Sequence, residues 1–204
     1  GYQVVPVLCY HRFGDDIKNK LVMTAAEFEE QMAWLAKEGY RVIPLSHLEE
    51  FLAGRRSLPQ RAVVITIDDG YKSVLEIAFP ILRKYGYPAT LFIYTDYIGA
   101  GPGALTWEEI KRLEESGLID TQNHSKSHAD LTALLAEGRD KVKVEITTPS
   151  DLMRRRLGHA ASYLAYPYGK TNQELLSLLG EAGLRLAFTV DRGGNAFFAD
   201  PWAL

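Results

Sequence analysis

The chain has 204 residues, with 23 Lys+Arg against 26 Asp+Glu, 47% hydrophobic residues and one Cys. That apolar content excludes a disordered chain, and a single thiol excludes an intrachain disulfide scaffold. The near-neutral balance, formally −3, leaves no electrostatic footprint for nucleic acid or an anionic membrane.

In chain order, Val4–Tyr10 reads as a strand. Thr24-Ala-Ala-Glu27 reads as a capping box, opening a helix whose apolar positions Phe28, Met32, Leu35 and Ala36 recur at helical spacing until Gly39. Arg41–Ile43 is a short strand, and Ser46 with Glu49 is expected to cap a short helix ending near Gly54. Ala62–Ile67 is a continuous β-branched run bounded by Asp-Asp-Gly, the pattern of a strand buried on both faces. Lys72–Tyr85 reads as a helix kinked or broken by Pro80. Ala89–Tyr94 is a strand, Thr106–Glu109 caps a helix ending at Gly117, and Leu118–Thr121 is a brief strand. A long charged helix covers Lys141–Leu157, and Ser162–Tyr166 is a strand. Thr171–Glu174 caps a helix through Ala182, and Leu186–Val190 is the last strand.

Repeated β-then-α order predicts seven parallel strands in one sheet, closed as a small barrel or left open and doubly wound. No internal linker divides the chain, which is expected to be one domain over residues 1–204, trimmed at one or both ends. Its apolar runs are too short to span a bilayer, and no basic segment precedes an apolar one as in a signal peptide.

Four polar clusters fall after strands: Tyr10-His11, Asp68-Asp69-Gly70, His124 with His128, and Tyr166-Pro167-Tyr168-Gly169. Parallel α/β folds gather their sites at the carboxyl ends of strands, so these clusters are expected on one rim. Alone, Asp-Asp-Gly is more simply a turn, and an isolated HxxxH more simply a solvated one. Together, one Asp and two His make an N₂O donor set for Zn²⁺ or a related divalent ion, with positions open for water and substrate. The two imidazoles, four residues apart, are expected on one face of a helical turn. His11 becomes a candidate general acid at such a rim, since imidazole changes charge near neutral pH. Cys9 is expected to be a small buried residue, and His47 and His159 surface residues. Trp34, Trp107 and Trp202 are expected to pack, though Trp202 is also a candidate groove residue.

These motifs resemble those of the polysaccharide deacetylases, carbohydrate esterase family four with its NodB-like fold. Thr66-Ile67-Asp68-Asp69-Gly70 resembles the family's T-[FI]-D-D-G signature, and His124 to His128 its H-[ST]-x-x-H signature. Ala165–Gly169 resembles its third motif. The opening segment Val7–Phe13, with His11, is similar to a circularly permuted branch that includes bacterial poly-β-1,6-N-acetylglucosamine deacetylases. Two departures stand out. Ala165 occupies the place where the family commonly has an Arg beside its catalytic Asp. For the fourth motif only Asp191 and Trp202 are candidates.

The resemblance implies a distorted, permuted (β/α)7-type barrel. It implies a metal held by Asp69, His124 and His128, zinc or else cobalt, nickel or iron(II). Asp68 would be the general base, His11 the general acid, and the Tyr168 N–H an oxyanion donor. Tyr10, Tyr166, Pro167 and Trp202 would contact substrate. It implies removal of N-acetyl groups from N-acetylglucosamine units of an exopolysaccharide by an exported, periplasmic or cell-surface protein; the oligomeric state is open, with a monomer favoured. A peptidoglycan- or chitin-type deacetylase, an O-acetyl esterase, and a catalytically weak carbohydrate-binding barrel are the alternatives on the same site.

Overall fold

A computed structural model describes residues 3–16, 18–190, 195–196 and 199–204. Seven parallel strands form the main sheet. They are β1 (Val7–Tyr10), β2 (Arg41–Val42), β3 (Ala62–Asp69), β4 (Ala89–Ile93), β5 (Ile119–Asn123), β6 (Tyr163–Ala165) and β7 (Leu186–Phe188). The spatial order is β7-β6-β5-β4-β3-β1, with β2 paired to the start of β3. The sheet curls into a half-barrel. Among the described residues no ladder joins β1 to β7, and the distortion of the expected barrel takes this form. The free edge of β7 is instead covered by the chain end: Ala187 N donates to Pro201 O at 2.8 Å, and Leu204 N donates to Ala187 O at 3.0 Å.

The helices are α1 (Ala25–Lys37), α2 (Leu45–Leu52), α3 (Phe79–Tyr85), α4 (Trp107–Glu115), α5 (Leu131–Glu137), α6 (Arg139–Leu157) and α7 (Gln173–Glu181). The capping boxes of α1 and α4 form as the sequence predicts, each with Thr and Glu bonded reciprocally. Two other caps differ. Ser46 lies inside α2, which starts after Pro44, a residue whose ring already sets the extended conformation. At α7 the cap is Asn172, accepting from Leu175 N at 2.9 Å, and not Thr171. Pro80 does break its helix: a π-helical turn, Val74–Ala78, precedes α3, and Pro80 sits in the first turn of α3, where a missing N–H is tolerated. Helix α5, capped by Asp130, is not among the elements predicted from sequence. No helix among the described residues is long and apolar enough to cross a membrane.

Burial follows the layers. Ile65, Ile67, Leu91 and Ile93 face α1, α3 and α4, packing against Phe28, Met32, Leu82 and Ile110. Val64, Phe92, Tyr163, Leu186 and Phe188 fill the concave side with Leu45 and Leu48 of α2. Helices α5 to α7 cover β6 and β7 through Leu131, Ile146, Leu175 and Leu179.

Strand register sets the site. Strand β3 runs two residues beyond the apolar run and takes both aspartates into a segment buried along its whole length. Asp69 lies opposite Ile93, Ile93 opposite Asn123, and Ala165 opposite Phe188. Tyr10 pairs with Ile67, so the next residue, His11, leaves β1 at the level of Asp68. His124 follows Asn123 at the same height.

Candidate active site

The loop after β5 carries both imidazoles, and it is not the helical turn that the four-residue spacing predicts. Ser125 and His128 both have left-handed backbone, φ 74° and 61°. Side chains hold this strained path. Asn123 Oδ1 accepts from Ser125 N at 2.7 Å, and Ser125 Oγ accepts from His128 N at 2.9 Å. Glu145, a buried carboxylate on α6, accepts from Lys126 N at 3.0 Å, Ser127 N at 2.8 Å and Ser127 Oγ at 2.8 Å. The two rings end 4.9 Å apart and nearly perpendicular.

A second strained turn aims the carboxylates. Adjacent strand residues ordinarily point to opposite faces. Asp69 has φ 80° and breaks that alternation, so both aspartates interact with His124 and His11. Gly70 follows with φ 95°, and a Cβ there would lie 2.7 Å from Ile98 Cδ1.

Asp69 Oδ1 stands 3.4 Å from His124 Nε2 and 3.4 Å from His128 Nε2. This buried oxygen has no hydrogen-bond partner among the described residues. Ligands about 2.0–2.1 Å from a tetrahedral ion are separated by about 3.3 Å, so the three atoms are spaced as one divalent cation requires. The tautomer fits too. His124 Nδ1 lies 2.8 Å from the Ala165 carbonyl, which only accepts, so Nδ1 carries a proton and the neutral ring offers the Nε2 lone pair to a cation. The electrostatics agree. Burial pushes the Asp69 pKa up, but the imidazoles of His124, His11 and His128 beside it outweigh this and hold the carboxyl below its usual range. His128 is held below its usual value by burial and by His124.

Asp68 has different neighbours. Its Oδ2 lies 3.5 Å from Cys9 Sγ, which donates to it, and 3.8 Å from His11 Nε2. Its Oδ1 is buried and unpartnered among the described residues. Burial, foremost, raises its pKa, and the Asp69 charge adds to this against the opposing pull of the imidazoles. Ala165 supplies no cation, and among the described residues His11 is the basic group within ion-pair distance of Asp68. Cys9 is exposed and not the buried filler expected from sequence.

Tyr168 sits on a 3₁₀ turn, Pro167–Gly169, with φ 61°. The turn's own bonds run from Gly169 N to Tyr166 O and from Lys170 N to Pro167 O, leaving the Tyr168 N–H outside them. Gly169 is required here, because a Cβ would lie 2.6 Å from Val190 N. The Tyr168 ring is 60% exposed and meets His128 edge-on at 4.8 Å.

The remaining expected substrate contacts are not at the rim. Tyr10 is 7% exposed; its ring packs on Phe28 and its hydroxyl donates to Gln31 Oε1 at 2.6 Å. Tyr166 is 2% exposed, donating to the Trp202 carbonyl at 2.9 Å. Pro167 is buried. Trp202 lays its indole over Gly180, with Nε1 3.4 Å from Leu184 O, on the side away from the strands' carboxyl ends. These rings are apolar enough to be claimed by the core before they can serve a groove. Asp191 lies outside the described residues. In their place the rim carries Tyr71, Tyr94 and Tyr97. Tyr94 stacks on Tyr97 at 5.1 Å, Tyr71 meets Tyr97 edge-on at 5.4 Å, and Tyr94 lies 5.1 Å from His128. Tyr71 follows Asp-Asp-Gly, and Tyr94 and Tyr97 follow β4, so the strand-end rule that located the other clusters would have found them. Glu145 carried no such signal.

Comparison with known proteins agrees with this architecture. Residues 55–187 match the family model described as polysaccharide deacetylase. The poly-beta-1,6-N-acetyl-D-glucosamine N-deacetylase of Staphylococcus aureus (strain MSSA476) is 30% identical over 86% of this chain and 63% of its own length. The enzyme of that name from Escherichia coli (strain K12) is 23% identical over 91% of this chain and 34% of its own. The chain thus spans from a third to under two-thirds of these curated relatives. The structure of IcaB from Ammonifex degensii superposes with a TM-score of 0.91 at 30% identity, covering 98% of this chain and 90% of that one. The Streptococcus pyogenes deacetylase PplD, solved with acetate, shares the fold with a TM-score of 0.85 at 23% identity, over 95% of this chain and 87% of that one. With seven parallel strands, an Asp-His-His cluster at their carboxyl ends and a family match over most of its length, the chain belongs to the polysaccharide deacetylase family.

Proposed function

We propose that this chain is a metal-dependent hydrolase that removes N-acetyl groups from N-acetylglucosamine units of a polysaccharide. The observation that carries this is the convergence of Asp69 Oδ1 with two imidazole Nε2 atoms, each 3.4 Å away, beside a second carboxylate whose buried Oδ1 has no hydrogen-bond partner among the described residues. Asp69, His124 and His128 would hold a divalent ion, with Zn²⁺ favoured by the N₂O donor set. When bound, such an ion supplies Lewis-acid polarisation of the acetamide carbonyl and acidifies water.

The protein's own groups divide the proton transfers. Asp68 takes a proton from the attacking water, and its buried, electron-rich Oδ1 and Oδ2 suit it to that role. The Tyr168 N–H donates to the oxygen that gains charge as the carbonyl carbon becomes tetrahedral. His11 gives its proton to the departing sugar nitrogen. Its place 3.8 Å from Asp68 Oδ2 orients the ring. The C–N bond then breaks, leaving acetate and a free amine.

The relatives named as poly-β-1,6-N-acetylglucosamine deacetylases support that polymer as substrate. An exopolysaccharide substrate in turn supports an exported or cell-surface location. The test is acetate release from defined β-1,6-linked N-acetylglucosamine oligomers. We expect release that a chelator abolishes and Zn²⁺ restores. Release only from β-1,4-linked or peptidoglycan-type substrates would overturn the polymer assignment. No chelator-sensitive release from any of them would overturn the enzyme reading.

A further inference from the structure

We propose that Cys9, His11 and Asp68 form a second cation site, suited to thiophilic divalent ions, whose occupation shuts the active site down. This rests on the roles given above to Asp68 and His11. The three donor atoms, Cys9 Sγ, His11 Nε2 and an Asp68 oxygen, all lie within 4.8 Å of one another, and they share no atom with the Asp69–His124–His128 set.

The spacing is that of coordination. For a sulfur about 2.3 Å and an oxygen about 2.0 Å from a tetrahedral ion, the S···O edge is about 3.5 Å. Cys9 Sγ and Asp68 Oδ2 are 3.5 Å apart. The N···O edge, 3.8 Å between His11 Nε2 and Asp68 Oδ2, needs only a small rotation of a partly exposed ring to close. A second observation points to a missing ligand. Asp68 is 6% exposed, yet its Oδ1 has no hydrogen-bond partner among the described residues. A buried carboxylate in that state is costly unless a cation or donor reaches it. Access exists, because Cys9 and His11 line a groove of about 600 Å³ along β1, with Leu21, Met23 and Val190.

The chemistry of the set decides which ion enters. Thiolate with imidazole and carboxylate selects Zn²⁺ or Cd²⁺ over Mg²⁺ or Ca²⁺. Binding is an exchange without redox: the M–S bond forms and the thiol proton leaves to solvent. The consequence is inhibition. With Asp68 Oδ2 and His11 Nε2 both coordinated, neither can accept or give a proton in the reaction.

The experiment compares the wild type with Cys9→Ala, which removes the sulfur donor and leaves the other two side chains, His11 and Asp68, in place. Protein already holding one equivalent of Zn²⁺ is titrated with Cd²⁺ without substrate. In the wild type we expect a second equivalent to bind with the ultraviolet charge-transfer band of a thiolate–cadmium bond, and in Cys9→Ala no band. In parallel, acetate release is measured against rising Zn²⁺. Taken relative to each protein's own rate without added Zn²⁺, Cys9→Ala should need at least tenfold more Zn²⁺ for half-inhibition, while Mg²⁺ inhibits neither protein. Absence of the band in the wild type would overturn the site, and equal Zn²⁺ inhibition of both proteins would overturn its inhibitory role. Because the band is read without substrate, a chain that released no acetate would refute the deacetylase reading while leaving the cation site decided on its own evidence.

Discussion

His124 Nδ1 donates to the main-chain carbonyl of Ala165 at 2.8 Å. The residue at the position of the expected Arg therefore contributes through its backbone. Strand β6 fixes the tautomer of a candidate ligand on β5's loop, and no side chain at position 165 is needed for that. Ala165 is itself buried, in one apolar cluster with Tyr163 and Phe188. The Asp68 carboxylate is left to Cys9 and His11, a pairing made by β1. In this chain the side chains beside Asp68 thus come from the first strand and the residue that follows it.

Replacing Asp68 with Asn separates the base from the ligands. Asp68→Asn keeps the shape of the side chain and leaves Asp69, His124 and His128 untouched. Acetate release should fall roughly 10²–10⁴-fold, the range for losing a general base. Supplied with one equivalent of Zn²⁺, the variant should retain it through gel filtration as the wild type does, read by metal analysis. Asp69→Ala should instead lose the metal. A variant at position 68 that released acetate at the wild-type rate would sink the base assignment.

Glu145 offers a test of preorganisation at a distance. It touches neither imidazole, yet three donors from the His124–His128 loop end on its carboxylate. Removing them frees a loop with two left-handed non-glycine residues to relax. Glu145→Ala should weaken zinc binding by about 10–100-fold, as loss of outer-shell support commonly does. Competition with a chromogenic chelator gives the affinity. The far-ultraviolet circular dichroism should remain that of the wild type. Ser127→Ala, which removes one of the three bonds, should fall between. Unchanged zinc affinity in Glu145→Ala would show that the loop holds its shape without it.

The parts of this molecule legible in sequence are those written in local chemistry. Thr24 with Glu27 and Thr106 with Glu109 announce their helices, because both halves of each cap lie three residues apart. Ala62–Ile67 announces a buried strand, and Asp68, Asp69, His124 and His128 announce themselves by following strands. What stayed hidden depends on distant partners. The Glu145 carboxylate meets a loop 18 and 19 residues away in sequence. Tyr10 and Tyr166 look like sugar contacts from their motifs, but packing against Phe28 and a bond to the Trp202 carbonyl turn them inward. The HxxxH spacing brings the rings together for a reason other than a helix, namely two left-handed residues pinned by side chains.

The half-buried rim tyrosines should govern binding rather than chemistry. Tyr94 and Tyr97 stack at 5.1 Å beside His128 and offer a flat, half-exposed surface to a sugar ring. Tyr97→Ala should raise KM for oligomeric substrate about threefold to tenfold, matching roughly 0.5–1.5 kcal/mol for an aromatic contact, with kcat and zinc affinity little changed. By contrast, Tyr166→Ala should lower the melting temperature, since it empties a buried site. Steady-state kinetics on oligomers of increasing length, together with thermal melts, separate the two outcomes.

Stability should show one pH dependence far from the active site. His159 Nε2 lies 3.0 Å from Glu114 Oε1, and the same oxygen accepts from Thr121 N at 3.1 Å. The pair ties the segment before β6 to α4 and to the middle of β5. The Glu114 hydrogen bond raises the His159 pKa above its ordinary 6.5, against a smaller opposing effect of burial. A group whose pKa is raised on folding binds its proton more tightly in the native state. Its contribution is therefore complete below about pH 6.5 and is lost as pH rises through the higher folded value. The imidazole is more than a third exposed, so solvent screening limits the effect to about 1 kcal/mol or less. His159→Ala should thus lower the melting temperature at pH 6 more than at pH 8.5. Glu114→Gln should shrink that difference while keeping an acceptor for Thr121 N. Thermal melts of the three proteins in metal-free buffer across this range give the measurement, and a gap between wild type and His159→Ala that widened with rising pH would contradict the ion-pair account.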